Sequence, residues 1–243
     1  MRIIAVTLLA VALVAAPAEA GGGCTRASTG DDEINCTRND DRTAALAGDD
    51  SIVGRAGDDR LDAGPGDDDV YAGPGMDVAV GGSGDDYLSG GDASDSLAGD
   101  DGADSVRGDA GNDALSGGHD ADIINGGPGH DQLKGEAGFD TLWGDTGDDD
   151  LAGGTSRDVI SGGAGDDDLR GSSGTDQLDG GDGHDRVEPG RGADIVFSGG
   201  GHDRVYAQDG ERDRISCGRG LDFVAADSAD VVARGCEDIQ WAG

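Results

Sequence analysis

The sequence predicts an all-β chain wound into an eighteen-residue coil, flattened so that two sheets face each other across a thin core. Three observations lead there. Counting from Asp32 in steps of nine meets an aspartate at all twenty positions up to Asp203. Two residues after each of them stands Ile, Leu or Val in eighteen of the twenty cases, Thr43 and Ala79 being the exceptions. Alternate members of this apolar series also differ in kind. The set Ile34, Ile52, Val70, Leu88, Val106, Ile124, Leu142, Ile160, Leu178 and Val196 holds seven β-branched residues, whereas the set running from Thr43 to Val205 holds six leucines. Two separate sheets would produce that difference.

Each part of the repeat has a physical reason. A nine-residue period does not return a side chain to one face of a helix with 3.6 residues per turn, and the glycines in every unit weaken a helix further. A triplet such as Asp168-Leu169-Arg170 fits a short strand, in which alternation points Leu169 inward and its neighbours outward. The glycines then fall in the turn, where backbone angles closed to other residues are needed. Sixteen of the twenty residues two places before the aspartates are glycine, the exceptions being Asn39, Ala93, Asp120 and Ser156. Two turns bring the chain back over itself, so one complete coil takes two of the nine-residue units.

Composition alone points elsewhere. The 243 residues include 52 acidic and 17 basic side chains, a formal charge of −35, 49 glycines and 3% aromatics. Such a chain has the makings of a disordered acidic polypeptide. A disordered tract has no reason to hold one register from Asp32 to Asp203, so disorder fails as a complete account. The charge does bound the partners: nucleic acid and anionic membrane surfaces suit a polyanion poorly, and cations suit it well.

The two ends read differently from the middle. Arg2, an apolar run from Ile3 to Ala16 and the small-residue site Ala18-Glu19-Ala20 form the pattern of a secretory signal peptide over residues 1–20. That run falls short of the roughly 20 residues that span a bilayer, and no later segment is apolar enough to insert. Cys24, Cys36, Cys217 and Cys236 lie two at each end. Four cysteines allow three pairings, and their placement favours Cys24–Cys36 and Cys217–Cys236 in an oxidising compartment. A zinc site is the alternative, but no C-x-x-C and no nearby histidine supports it.

Stacked coils lie about 4.8 Å apart, so the aspartates of successive coils come into register and repel. A hard divalent cation between the loops reverses the sign of that interaction. Ca2+ accepts irregular shells of six to eight carboxylate and carbonyl oxygens, and glycine turns expose carbonyls beside each Asp. The stretches GGAGDDDLR (162–170) and GGSGDDYLS (81–89) resemble the nonapeptide G-G-x-G-x-D-x-U-x of RTX, or haemolysin-type, calcium-binding repeats. The resemblance covers about residues 27–206. It implies a right-handed parallel β-roll, a β-solenoid in which x-U-x forms the strands and the turns bind multiple Ca2+ ions between coils. The carboxylates it implies as ligands are Asp32, Asp41, Asp50, Asp59, Asp68, Asp77, Asp86, Asp95, Asp104, Asp113, Asp122, Asp131, Asp140, Asp149, Asp158, Asp167, Asp176, Asp185, Asp194 and Asp203. Each ion would be shared by loops one full coil apart, as at Asp149 and Asp167. Asn39, Asp120 and Ser156 depart from the glycine pattern. Asp100, Asp109, Glu136 and Asp145 add carboxylates at its second position.

After Tyr206 the register slips by one; Asp213, Ile215, Asp222 and Val224 then resume the spacing. The expected organisation is a signal peptide at 1–20, a lead-in at 21–29, the repeat array at 30–206 and a disulfide-stapled C-terminal cap at 207–243 that covers the open end. Catalysis is not expected, since neither H-E-x-x-H nor G-x-S-x-G occurs, and His119, His130, His184 and His202 fall in turns as solvated loop residues. An ice-binding face would need repeated threonine, and only Thr141 flanks the apolar positions. Type I secreted members of the family carry an uncleaved C-terminal export signal, unlike the N-terminal one read here, so neither pore formation nor haemolysis is inferred. The function expected is an extracellular calcium-binding protein in which binding and folding are coupled. The alternative is a secreted adhesin or matrix protein whose outer face binds an unknown partner, with calcium purely structural. N-terminal sequencing of the exported protein should begin at Gly21; a chain still carrying Arg2 would overturn the signal-peptide reading.

Overall fold

The computed structural model describes residues 23–25, 27–233 and 235–242; the predicted signal peptide lies outside them. Among the described residues there is no helix, and so none long and apolar enough to cross a membrane. The described residues wind through twenty-six short strands that alternate between two sheets of fourteen and twelve strands. Every hydrogen-bonded pair is parallel. Partners along the repeat stand one eighteen-residue coil apart, as in Ile124↔Leu142 and Leu133↔Leu151. The fold is thus the parallel β-solenoid that the period requires.

The strands are longer than the predicted triplets. Most run six residues, as in Arg60–Pro65 and Gln132–Ala137. Parallel pairing carries on past the apolar residue into the loop's opening residues, so that Gly64 pairs with Gly82 and Pro65 with Ser83. The first residue of each loop, most often glycine, is therefore the last inward-facing strand position. Alternation places it on the same face as the apolar residue two before it, with Ala63 and Ala72, both buried, filling that position in two coils. At the second loop position the backbone is left-handed, and not always in glycine: Asp100, Asp109, Glu136 and Asp145 adopt φ of 79°, 71°, 75° and 72° there. The turn proper is confined to the remaining residues before the Asp.

The core is two facing files of single side chains. Ile52, Val70, Leu88, Ile124, Leu142, Ile160 and Leu178 line the first sheet, and Leu61, Leu97, Leu133, Leu151 and Leu169 line the second, all buried. Beta-branched residues dominate the first file and leucine the second, as the sequence implied. Disulfides Cys24–Cys36 and Cys217–Cys236 staple the two ends. Near the N-terminal edge Thr25 donates its N–H to the carbonyl of Asn35 at 3.0 Å.

The described residues after 206 continue the coil with altered spacing. The register lengthens by one at Val196↔Ile215 and Val205↔Val224, then shortens to seventeen at Ile215↔Val232 and fifteen at Val224↔Ile239. Insertions and deletions are absorbed in the loops, while the strands keep stacking.

Because each coil contributes so few core side chains, every one of them counts. Leu133→Ala removes a fully buried side chain between Leu115 and Leu151 and should cost about 2–5 kcal/mol in chemical denaturation. A cost below about 0.5 kcal/mol, the range of a surface change, would mean that the file of leucines is not the core.

Candidate calcium-binding loops

Each repeat aspartate ends a loop and begins a strand, which fixes it at the rim of the core with its carboxylate folded back under the loop. Asp122 is typical. Its Oδ1 accepts the N–H of Asp104, one coil earlier, at 2.9 Å, and its own N–H donates to Oδ1 of Asp140 at 2.9 Å. The pattern repeats from Asp32, whose N–H reaches Asp50 at 2.7 Å, to Asp185, whose N–H reaches Asp203 at 3.1 Å. The expected pair Asp149 and Asp167 is joined this way at 2.8 Å. Two ladders of carboxylates therefore run the length of the molecule, one on each edge.

The second carboxylate oxygen has no partner. From Asp50 to Asp203 each of these side chains is buried, and Oδ2 accepts no hydrogen bond. That is eighteen orphaned carboxyl oxygens, whereas buried polar groups in folded proteins are as a rule satisfied. Where a loop opens on glycine, Oδ2 faces that glycine. A Cβ placed on Gly99 would collide with Oδ2 of Asp104 and lie 2.7 Å from the carbonyl oxygen of Gly117. The same holds at Gly108, with Asp113 and the carbonyl of Gly126 at 2.7 Å. A carboxylate oxygen and a backbone carbonyl from the next coil thus converge on a space that glycine leaves open. An oxygen-only donor set with a net negative charge fits a hard divalent cation.

Asp32 and Asp41 do not share this state. Oδ2 of Asp32 accepts the N–H of Ser28 at 2.5 Å, and Oδ2 of Asp41 accepts both the N–H and the Oγ1–H of Thr37 at 2.8 Å. Protein donors take the oxygen that is orphaned elsewhere. Conversely, the ladder runs on past the twenty residues of the series. Oδ1 of Asp213 and Asp222 accept the N–H groups of Asp194 and Asp203, and Oδ2 of each is orphaned. Asp230 and Glu237 complete the two ladders at 3.0 and 3.2 Å. The signal for these last two is present in the chain as Asp230-x-Val232 and Glu237-x-Ile239, but at spacings of seventeen and fifteen, short of a full coil.

Electrostatics follow from the burial. Desolvation pushes the carboxyls of Asp86, Asp95, Asp122, Asp131 and Asp185 up to about 7, the backbone N–H bond opposes the rise, and the neighbouring carboxylates add to it. Asp68, Asp77, Asp104, Asp158, Asp167, Asp176 and Asp194 rise to about 6 for the same leading reason. Without a cation, the buried ladder resists ionisation near neutral pH.

A second ladder runs outside the first. Where the residue before a ladder aspartate is polar, it can accept the N–H of its counterpart one coil on: Asp67 Oδ1 takes that of Asp85 at 3.0 Å, and Asp148 Oδ1 that of Asp166 at 2.9 Å. Histidines join it. Nδ1 of His130, His184 and His202 accepts the N–H of Asp148, His202 and Leu221, each at 2.8 Å, and the rings of His184 and His202 stack 5.1 Å apart. Sequence reasoning missed this role because solvent exposure and ladder membership coexist at that position. His119 stands apart, ion-paired with Asp101 at 2.5 Å.

Among the described residues one group of three metal-ligating side chains has its ligand atoms mutually within 4.8 Å, namely Cys24, Cys36 and Asp41. Its cysteines are bonded to each other, so it offers no thiolate. No other three such side chains come that close among the described residues, so a cation's shell there needs backbone carbonyls as well.

Comparison with curated proteins finds no matching relative. The sequence model of the RTX calcium-binding nonapeptide repeat, by contrast, matches in overlapping segments from residue 37 to residue 224, namely 37–70, 45–78, 71–106, 98–133, 126–160, 152–187, 179–212 and 188–224. These segments span most of the chain and coincide with the coils that carry the orphaned carboxylates. The chain belongs to the RTX calcium-binding repeat family.

Proposed function

We propose that this protein is an extracellular calcium-binding solenoid whose ions lodge between the loops of successive coils, so that binding and folding are one process. The observation that carries this reading is the run of eighteen buried Oδ2 atoms without a partner. Left alone, they would oppose folding by burial and by mutual repulsion. A Ca2+ ion touching Oδ2 and the facing carbonyl supplies the missing positive charge. The ligands proposed are the carboxylates from Asp50 to Asp203, together with carbonyls such as that of Gly117 beside Asp104. Asp32 and Asp41, satisfied by the chain itself, stand outside the array. Two disulfides suit an oxidising exterior, where calcium is plentiful and affinities of about 10⁻⁴–10⁻³ M serve an extracellular module. Low cytosolic calcium would then leave the chain unfolded for export.

Circular dichroism tests the coupling directly. In chelator the chain should be largely disordered and in millimolar Ca2+ rich in β-structure, with a cooperative transition because each ion joins two coils. A spectrum already β-rich in chelator and unmoved by calcium would sink the proposal. Asp122→Ala should remove binding in the coils on both sides, and Asp32→Ala almost none.

The sign of the pH dependence is fixed by the raised carboxyls. A group whose folded pKa lies above its unfolded value near 3.8 binds more protons when folded, so stability falls as pH rises between the two values. With folded values of about 6 to 7, the calcium-free coil should gain β-structure on acidification from about pH 7.5 to about pH 5. Protons and calcium compete for the same oxygens, so the calcium midpoint should rise over the same interval. A midpoint independent of pH would mean that the buried carboxylates are not the ligands.

A second reading, adhesion through an outer face, has one observation in its favour. The two outer faces differ. Tyr71, Ile123, Trp143 and Phe197 stand exposed on the first sheet. The second carries an ion-pair lattice in which Arg170 bonds Asp150 at 2.5 Å and Asp168 at 2.6 Å, and Arg186 joins Asp168 and Glu188. In that reading calcium is purely structural, and the apolar side chains of the first sheet meet the partner.

A further inference from the structure

We propose that the outer face of the first sheet binds an extended, uncharged polysaccharide laid along the axis of the coil, its sugar rings stacking on Tyr71, Trp143 and Phe197. The proposal rests on the reading of adhesion through an outer face and supplies its ligand. The three rings occupy one strand position, the residue after the inward apolar side chain, and the register carries that position from coil to coil. They therefore stand in one file on one face. Tyr71 and Phe197 are 43% exposed and Trp143 38%, so each keeps an open side, as a stacking platform must.

What lies between the rings is polar. From Tyr71 the register passes through Ser89, Arg107 and Asn125 to Trp143, four coils on. It then passes through Ser161 and Asp179 to Phe197, three coils further. At a strand spacing of about 4.8 Å the successive rings are about 19 and 14 Å apart. Asn125 is held by a bond from Nδ2 to Asp145 at 2.7 Å, and Arg107 by one from Nε to Asp109 at 2.6 Å. The amide oxygen of the first and the outer guanidinium nitrogens of the second are left for a ligand's hydroxyls. Both residues line an open hollow of about 400 Å³ beside the file, walled also by Asp92, Asp145 and Pro128.

The spacing and the charge select the ligand. An aromatic ring offers a rigid apolar face that suits the C–H face of a sugar, and the polar residues between suit its hydroxyl rim. An extended glycan repeats both at a rise close to the strand spacing. A protein partner would favour one apolar cluster ringed by contacts that exclude water, whereas here polar side chains separate the rings. Acidic chains are disfavoured by the protein's overall charge of −35, and the two charges in the file, Arg107 and Asp179, cancel. The neighbouring file sets Ile123, Thr141 and Val159 beside Asn125, Trp143 and Ser161. Those six outward positions around Trp143 hold no charged side chain.

The experiment uses the full mature chain in millimolar Ca2+. Cellulose, chitin and mannan serve as neutral probes, carboxymethyl cellulose as the acidic one and gelatin-coated beads as the protein one. Retention on at least one neutral polymer, and not on carboxymethyl cellulose, is expected. Trp143→Ala should weaken that retention about tenfold, whereas Trp241→Ala, exposed on the last strand, should leave it unchanged. Circular dichroism should show both variants as β-rich as wild type, since these side chains lie outside the core. In Trp241→Phe protein Trp143 is the remaining tryptophan. Its fluorescence should shift with soluble oligosaccharides of the retained polymer long enough to span three coils, and not with the monosaccharide. Retention on none of the neutral polymers overturns the proposal, as does equal retention on carboxymethyl cellulose or retention unchanged in Trp143→Ala. Retention on gelatin alone, lost in Trp143→Ala, overturns the sugar ligand and keeps the adhesive face. Retention on no surface overturns both. Should Trp143→Ala lose the coil, the fluorescence of Trp241→Phe decides, and no shift overturns the proposal.

Discussion

The fold depends on the stacking of like charges one coil apart. At a strand spacing of about 4.8 Å, two carboxylates in a medium of effective dielectric near 20 repel by about 3 kcal/mol. A domain is stable by about 5–15 kcal/mol in total, so a few uncompensated contacts of this kind are enough to dissolve it. The chain answers in part with its own backbone, giving each ladder carboxylate one N–H from the preceding coil, as Asp122 receives from Asp104. One donor per carboxylate positions the ladder but leaves Oδ2 bare. That remainder is what ties the fold to a cation.

The glycine pattern follows from the same requirement. A core of one large apolar side chain per repeat unit holds the sheets close, and the first residue of each loop then looks straight at the Asp carboxylate. Any Cβ at Gly99 or Gly108 would occupy the space between Oδ2 and the facing carbonyl. Glycine there leaves that space open at the last strand position, before the turn begins. The second loop position is different, since its left-handed backbone accommodates Asp100, Asp109, Glu136 and Asp145. Three of these side chains find partners at the edge of the coil: Ser89 for Asp109, Ser116 for Glu136, Asn125 for Asp145. Extra acid at that position leaves the ladder's hydrogen bonds in place and adds charge beside it: beyond the effect of burial, Asp100 raises the carboxyl of Asp104 and Asp109 that of Asp113.

Much of this was legible because a coil turns a linear period into a spatial column. Asp-x-apolar repeated in register, as at Asp167 and Leu169, says where the carboxylate and the core side chain must stand, and the difference between the Ile34 and Thr43 series separates the two sheets before any coordinate is known. Three features were not legible, each for a definable reason. Glycine signals a turn in isolation, so the sequence suggests strands of three; parallel pairing with the next coil draws Gly64 and Pro65 into a strand regardless. The first two aspartates share the period but not the environment, because there the backbone N–H groups of Ser28 and Thr37, joined by the Thr37 hydroxyl, turn onto Oδ2. Past Tyr206 the loops change length, and a search at fixed spacing loses Asp230 and Glu237, although the strands they precede still stack.

The two ends of the coil meet the problem of termination by opposite chemistry. At the N-terminal edge the ladder closes on protein donors: Ser28 and Thr37 take the free oxygens, and the Cys24–Cys36 bridge fixes the segment that supplies them. No cation is needed to satisfy that edge. At the C-terminal edge the ladder ends in acceptors, Asp230 and Glu237, with Asp213 and Asp222 still orphaned behind them. The direction of the hydrogen bonds makes this asymmetry unavoidable. Each aspartate takes its N–H from the coil before and offers its own to the coil after, so an added coil always arrives carboxylate first. A terminus that must present carboxylates can be quieted by protons, by donors or by a cation. This chain uses donors at Asp230, whose Oδ2 accepts the N–H of Asp227, and leaves Oδ2 of Asp213 and Asp222 to a proton or a cation.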